Sequence, residues 1–249
     1  MPHKARHFIV NVICGMVYGR DRRRHVRTVL NGYAMRNIRF IRRHLGIPLR
    51  HVHIRTGYMG RNMVIITNDK YAFKFPVASE NPNDKAMREK RIVDAVRKHC
   101  PVPVPNVDIL HMRTGDGDIL VRKYPLVHGT TVREMPAKRV LANIDKLAPQ
   151  MAGAIYAIGC AMPPEINDLK PTADANAEYM HGWCQGDICD NFMINPKTMR
   201  VTAYIDWEDA AFMDFAHLFK KYKKTPAREL MAAVAREYDK LWRHDHTDK

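Results

Sequence analysis

The chain has 249 residues, enough for one large domain or two small lobes, and its 46% apolar content is that of a globular protein with a sizeable core. No run approaches the ~20 apolar residues needed to span a bilayer, so no membrane span is expected. The formal charge of +15 is the anomaly: it favours anionic ligands.

Five cysteines, Cys14, Cys100, Cys160, Cys184 and Cys189, are odd in number and lack Cys-x-x-Cys spacing. That argues against a disulfide framework and a zinc site and predicts a reducing, cytoplasmic setting. Cys184 and Cys189 bracket Asp187, but free cysteine packs mostly as a small hydrophobe.

Residues 1–50 form a basic helical extension carrying Arg20, Arg22, Arg23, Arg24, Arg27, Arg36, Arg39, Arg42 and Arg43. A solvated helix face is the favoured reading; nucleic acid is the second, with no aromatic-interleaved motif or zinc finger to support it. Phe8 to Tyr18 has the outline of a secretory apolar region, but Asn11 interrupts it and no small-residue cleavage site follows. It is read as the buried face of a helix or strand. Residues 27–45 follow helical periodicity through Val29, Leu30, Tyr33, Ile38, Ile41 and Leu45, stopped by Gly46-Ile47-Pro48.

Residues 51–124 read as a sheet-rich lobe. Asn62 to Thr67 and Tyr71 to Phe75 are strands around the turn Asn68-Asp69-Lys70. Alternation puts Tyr71, Phe73 and Phe75 on one face and Ala72 and Lys74 on the other. Asn83 to His99 reads as a helix, with Asn83 or Asp84 as its cap. Glu89 falls on its apolar stripe with Ile92, Val93 and Val96; it is either buried against a partner, for which Lys74 is the candidate, or at the edge of the stripe in water. Cys100 to Pro105 is an extended, proline-fixed connector. Val107 to Leu110 and Asp118 to Tyr124 are strands about Thr114-Gly115-Asp116-Gly117.

Residues 125–249 read as a helical lobe. Two helical patterns between Ala137 and Met162 break near Pro149, Pro163 to Ala177 is a polar loop, and Ala227 to Trp242 is a helix with Leu230, Ala233, Val234, Tyr238 and Leu241 on one face. Between them lies the most informative stretch: Gln185-Gly186-Asp187, then Asn191 to Asn195, then Tyr204 to Glu208. A hairpin would set Asn191 and Asp206 side by side at its open end with Asp187 near. Such oxygen ligands suit Mg²⁺. Phosphoryl transfer needs a cation on the phosphates, a metal held by at least two oxygens and an acceptor for the hydroxyl proton. Lys74, Asn191 with Asp206, and Asp187 are those residue types. Gly57 to Gly60 offers a turn over the phosphates, although a plain loop is the simpler reading.

From about Arg55 to Asp214 the order of elements and motifs resembles the protein-kinase-like fold of the aminoglycoside phosphotransferase and choline-kinase-like family. Tyr71-Ala72-Phe73-Lys74 resembles the strand with the ATP-phosphate lysine, and Arg88-Glu89 the helix with its glutamate partner. Val102 to Val107 is similar to the family's connector. Ile119 to Tyr124, including Lys123, with Gly129, resembles the hinge whose backbone receives adenine. Gln185-Gly186-Asp187 resembles the catalytic-loop His-Gly-Asp, and Ile205-Asp206-Trp207-Glu208 the metal-binding motif. The resemblance implies transfer of the ATP γ-phosphate to a hydroxyl of a small molecule, with Mg²⁺. It also implies a two-lobed α+β fold: a small antiparallel N-lobe sheet with one helix, and a mostly helical C-lobe holding a catalytic hairpin.

The chain departs from the family in Gln185 for His, in an Asp187–Asn191 loop one residue short, in Pro125 at the hinge and in a short segment after Asp214. These motivate the alternative of a catalytically impaired, kinase-like protein that binds a nucleotide or partner. Among nearby acids, Asp190, Glu208 and Asp209 are read as solvated or capping in preference to binding a cationic acceptor, and Asp214 as structural.

Overall fold

The computed structural model describes residues 3–57, 60–77, 79–115, 117–170 and 181–247. It has the mixed α and β composition expected, in two compact units: Met1–Met87 with Val107–Leu126, and Arg88–Asn106 with Val127–Lys249.

The first unit opens with helices α1 (His3–Gly15), α2 (Arg20–Asn31) and α3 (Ala34–Leu45). Phe8 to Tyr18 begins in a helix as expected, but of the described side chains from Ile9 to Gly15 only Val10 and Cys14 are buried, whereas Ile9, Val12, Ile13 and the following Met16 are exposed. The single helix expected over 27–45 is two. Gly32 still donates its N–H to the Thr28 carbonyl at 2.7 Å. A Cβ on Gly32 would stand 2.3 Å from Met63 Cε and 2.8 Å from the Thr28 oxygen, so the backbone approaches the sheet as only glycine can. Tyr33 then turns the chain with a left-handed φ of 54°, and the buried Asn37 amide donates to the Gly32 carbonyl at 2.8 Å.

The sheet has strands β1 (His53–Thr56), β2 (Asn62–Thr67), β3 (Tyr71–Pro76), β4 (Asp108–Thr114) and β5 (Gly117–Pro125), in the order β1-β2-β3-β5-β4 with antiparallel neighbours throughout. The β2–β3 hairpin is the one read in sequence; Asn68 and Asp69 take positive φ at its turn, a conformation these side chains tolerate. The short edge strand β1 carries no comparable pattern. Asp116 of the β4–β5 turn lies outside the described residues. Phe73 and Phe75 enter an apolar cluster with Met63, Ile65, Val121 and Ile41 of α3. Burying that face fixes the register and sends Lys74 to the other face.

Helix α4 (Pro82–Val96) begins in this unit. Neither expected cap serves as one: Asn83 lies inside the first turn, and its carboxamide reaches β5, donating to the Asp118 carbonyl (3.0 Å) and accepting from the Leu120 N–H (2.8 Å).

The second unit contains the rest of α4, the proline connector, α5 (Ala137–Leu141), α6 (Ile144–Ala161), a 3₁₀ turn at Pro164–Leu169, β6 (His181–Cys184), α7 (Ile188–Asn191), β7 (Phe192–Ile194), β8 (Val201–Tyr204), β9 (Ala211–Asp214), α8 (Phe215–Lys220) and α9 (Ala227–Thr247). The break expected at Pro149 falls instead at Ala142-Asn143, where Asn143 leaves helical geometry (φ −131°, ψ 20°), and α6 carries Pro149 on its exposed side. Part of the loop expected over Pro163 to Ala177 is the 3₁₀ turn; residues 171–177 lie outside the described residues.

Helices α6 and α9 pack together, with Leu230, Ala233, Val234 and Tyr238 of α9 buried as their spacing predicts, while Leu241 is exposed. Phe192 and Tyr204 stack at 3.9 Å across the β7–β8 hairpin. The Tyr204 N–H donates to the Pro103 carbonyl at 2.9 Å, resting the hairpin on the connector. No described helix is long and apolar enough to cross a membrane.

Candidate active site

In the first unit, Lys74 lies on β3 between Val64 of β2 and Arg122 of β5. It is 8% exposed, so the solvated lysine that a lone strand would suggest is not found. Facing residues on neighbouring strands share a face, so Lys74 and Arg122 are two buried cations set opposite one another. Like charges in that position are destabilising unless negative charge joins them. Arg122 Nη2 donates to Asn62 Oδ1 at 3.2 Å on the same face.

Arg122 was not among the residues singled out in the sequence. Lys123, expected in the hinge whose backbone receives adenine, pairs opposite Phe73, so its side chain lies on the other face. Its ammonium stands 3.4 Å from Asp108 Oδ2 and over the Tyr71 ring. The geometry groups Lys74 with Arg122 and separates both from the Lys123 side chain.

Gly57 and Gly60 close a turn between β1 and β2: Gly60 N–H donates to the Gly57 carbonyl (3.0 Å) and Gly57 N–H to the Asn62 carbonyl (2.9 Å). Gly60 has a φ of 75°, and a Cβ there would sit 2.8 Å from Thr28 Oγ1, which explains glycine at that position. Tyr58 and Met59 lie outside the described residues.

Glu89 belongs to the second unit by its position on α4 and is fully buried, which removes the reading in which it pairs in water. Neither Glu89 nor Lys74 is without a partner.

The remaining candidates converge in the second unit around Gln185. Its amide nitrogen donates to the Asp206 carbonyl at 2.7 Å, and its amide oxygen accepts the Asp187 N–H at 2.7 Å. Asn191 ends α7 just before β7, and its carbonyl accepts the Ile205 N–H at 2.9 Å, one residue beyond the Phe192–Tyr204 pair. Asp187, Asn191 and Asp206 are thus held at one end of the hairpin through their backbones, the first and last by the Gln185 side chain and Asn191 by Ile205. Asp206 adopts a left-handed φ of 59° and ψ of 62°. That conformation is costly for most residues and milder for Asp. It is held by Gln185 on its carbonyl and by buried Trp207, whose indole N–H donates to the Tyr204 carbonyl at 3.0 Å.

Lys221 is the site residue the sequence reading missed. Its ammonium pairs with Asp187 and reaches the Gly186 carbonyl at 3.3 Å. The next residue, Tyr222, accepts the Cys189 N–H on its hydroxyl at 3.2 Å. No motif surrounds Lys221; a cation just past α8 carries no local signal.

Asp190 pairs with Arg133 at 2.7 Å; burial raises its carboxyl above the usual range, opposed by Arg133 and reinforced by Asp187. Asp214 caps α8, accepting the Ala216 N–H at 2.7 Å, the structural role expected of it. Burial pushes the Cys189 thiol up to about 12, with Asp190 adding to it. It is therefore a packed thiol with little thiolate character. A cleft of about 440 Å³ opens beside this loop, lined by Gln185, Asp187, Asp209, Asp214, His217 and Lys221 among others.

No protein-family model matches the sequence, and no curated protein matches it. Solved structures do. The GDP complex of wild-type aminoglycoside 2'-phosphotransferase-IIIa aligns with a TM-score of 0.62 at 17% identity over 82% of both chains. The apoenzyme of macrolide 2'-phosphotransferase MphH from Brachybacterium faecium aligns with a TM-score of 0.53 at 13% identity over 84% of this chain and 82% of that one. A putative aminoglycoside phosphotransferase from Ralstonia eutropha gives 0.51 at 16% identity over 85% and 79%. The chain therefore has an aminoglycoside phosphotransferase-like kinase fold.

Proposed function

We propose that this protein is an ATP-dependent phosphotransferase that moves the γ-phosphate to a hydroxyl of a small molecule. The observation that carries the reading is the Gln185 bridge, which fixes the backbones of Asp187 and Asp206 to one side chain. In this reading Asp187 accepts the hydroxyl proton. The hydroxyl oxygen bonds to the γ-phosphorus as its bond to the bridging oxygen of the nucleoside diphosphate breaks. Lys74 is the phosphate cation, and Arg122 joins it. Gly57 to Gly60 lies over the phosphates. Mg²⁺ would need few protein ligands here, since it usually keeps several waters and takes substrate phosphates. The Asn191 amide oxygen and the exposed Asp206 carboxylate fit that hard-oxygen donor set. Among the described residues no three His, Cys, Asp or Glu side chains group as a self-sufficient metal cage. The metal would supply charge neutralisation on the phosphates.

Several structural neighbours were solved with GDP, ADP, ATP, kanamycin or streptomycin, which supports nucleotide use and a small polar acceptor. The Asp209 and Asp214 carboxylates at the cleft favour an acceptor bearing amines. Aminoglycosides, amino alcohols and sugars form the test panel.

A second reading, nucleotide or partner binding without turnover, is favoured by the Lys221–Asp187 ion pair, which engages the proposed base. Phosphate transfer from ATP is measured across the panel with Mg²⁺ and with EDTA. Transfer that needs Mg²⁺ and falls at least about a thousandfold in Asp187→Asn is expected. Nucleotide binding with no transfer to any acceptor, identical in Asp187→Asn, establishes the second reading instead.

A further inference from the structure

The proposed chemistry leaves the N-terminal helices unused, and they carry two surface stripes with the same spacing. On α2, Arg20, Arg23, Arg24 and Arg27 follow i, i+3, i+4, i+7 and so share one face. With Thr28, Asn31, Gly60 and Val77 they line a groove of about 440 Å³. Among the described residues lining it there is no carboxylate. Arg23 donates to the Val17 carbonyl at 3.3 and 3.4 Å, whereas Arg20, Arg24 and Arg27 have no hydrogen-bond or ion-pair partner among the described residues.

Ile9, Val12 and Ile13 of α1, with Met16 just past its end, repeat the spacing with apolar side chains, exposed at 44, 43, 37 and 77%. Their stripe lies about a third of a turn from the buried Val10 and Cys14. Tyr18, 92% exposed, follows in the link to α2. The two helices pack on one another. An exposed apolar stripe on one helix and a concentrated cationic stripe on the next supply the two attractions that hold a helix in a membrane interface, apolar burial and charge.

We infer that the α1–α2 face docks on an anionic phospholipid surface. The arginine groove receives lipid phosphates, and the α1 stripe with Tyr18 enters the headgroup boundary. Each stripe alone is a weak anchor; a basic cluster and an apolar insertion together make a stable one. Single-stranded nucleic acid fits less well: among the described residues the groove lining offers no aromatic side chain for a base to stack on, and phosphate contacts leave the α1 stripe without a use. The groove shares Gly60 with the turn placed over the nucleotide phosphates, so the variants below leave that turn intact and vesicle binding is read separately from phosphotransfer.

The test is co-sedimentation of the full chain with vesicles of phosphatidylcholine alone and with vesicles in which roughly a third of the lipid is phosphatidylglycerol. Two variants accompany it, Arg20→Gln/Arg24→Gln/Arg27→Gln and Ile9→Ser/Met16→Ser. Circular dichroism and Tm establish that both fold. Binding to the anionic vesicles alone is expected. It should fall at least about tenfold in the arginine variant and several-fold in the apolar variant. Absence of binding, equal binding to both vesicles, or loss in neither variant overturns the inference. So does inositol hexakisphosphate or an RNA homopolymer that binds through the arginines while vesicles do not, which would assign the groove to a soluble phosphate or to nucleic acid.

Discussion

Gln185 uses both ends of its amide, donating to the Asp206 carbonyl and accepting from the Asp187 N–H, and it is only 3% exposed. Truncation to alanine leaves two polar backbone groups without these partners, at about 1–3 kcal/mol each. Gln185→Ala is therefore expected to lower kcat about 10- to 100-fold while nucleotide binding, measured by titration calorimetry, changes little. Equal loss in both would mean that the bridge is a general fold contact. The residue types of this site were legible in sequence: Asp187, Asn191 and Asp206 stand where a short strand opens and its return ends. The bridging role of Gln185 was not legible, because a glutamine side chain carries no directional signal until both partners are in place. Lys221 was invisible for the same reason, being 34 residues from Asp187. Lys123 and Arg122 show a sharper limit: adjacent strand residues point to opposite faces, and only the strand pairing shows that Arg122 shares the face of Lys74 while the Lys123 side chain does not.

At the scale of elements, the β2–β3 hairpin and the stripes of α4 and α9 were readable because periodicity and turn chemistry are local. The break between α2 and α3 was not. It arises where Gly32 meets Met63, a residue of β2. Gly32→Ala forces that contact apart and is expected to cost about 1–3 kcal/mol, the usual range for overpacking, although alanine is the better helix former. Urea denaturation measures it; a variant as stable as the parent would show that the corner relaxes freely. Pro149 teaches the converse. Proline marks a helix break in sequence, yet α6 carries it on its exposed side and breaks at Asn143 instead.

For the whole molecule, 41 basic against 26 acidic residues give a charge of +15 that opposes compaction. Salt screens that repulsion, the Debye length falling from ~30 Å at 0.01 M to ~8 Å at 0.15 M. Raising NaCl across that range is expected to raise Tm by a few degrees, roughly the effect of 1 kcal/mol in a chain of this length. A Tm that stays flat or falls in a thermal scan would mean that surface ion pairs such as Arg91–Asp168 and Arg133–Asp190 already offset the excess. By itself the sequence determined the chemical inventory and the strand and helix periods, since each rests on residue type and short spacing; the kinase-like class came from the resemblance of its motifs to a known family. The tertiary structure alone decided that Lys74 faces Arg122, that Gln185 ties Asp187 to Asp206, and that the arginines of α2 line a groove. Such placements depend on packing between segments far apart in the chain, and local residue spacing carries no record of that packing.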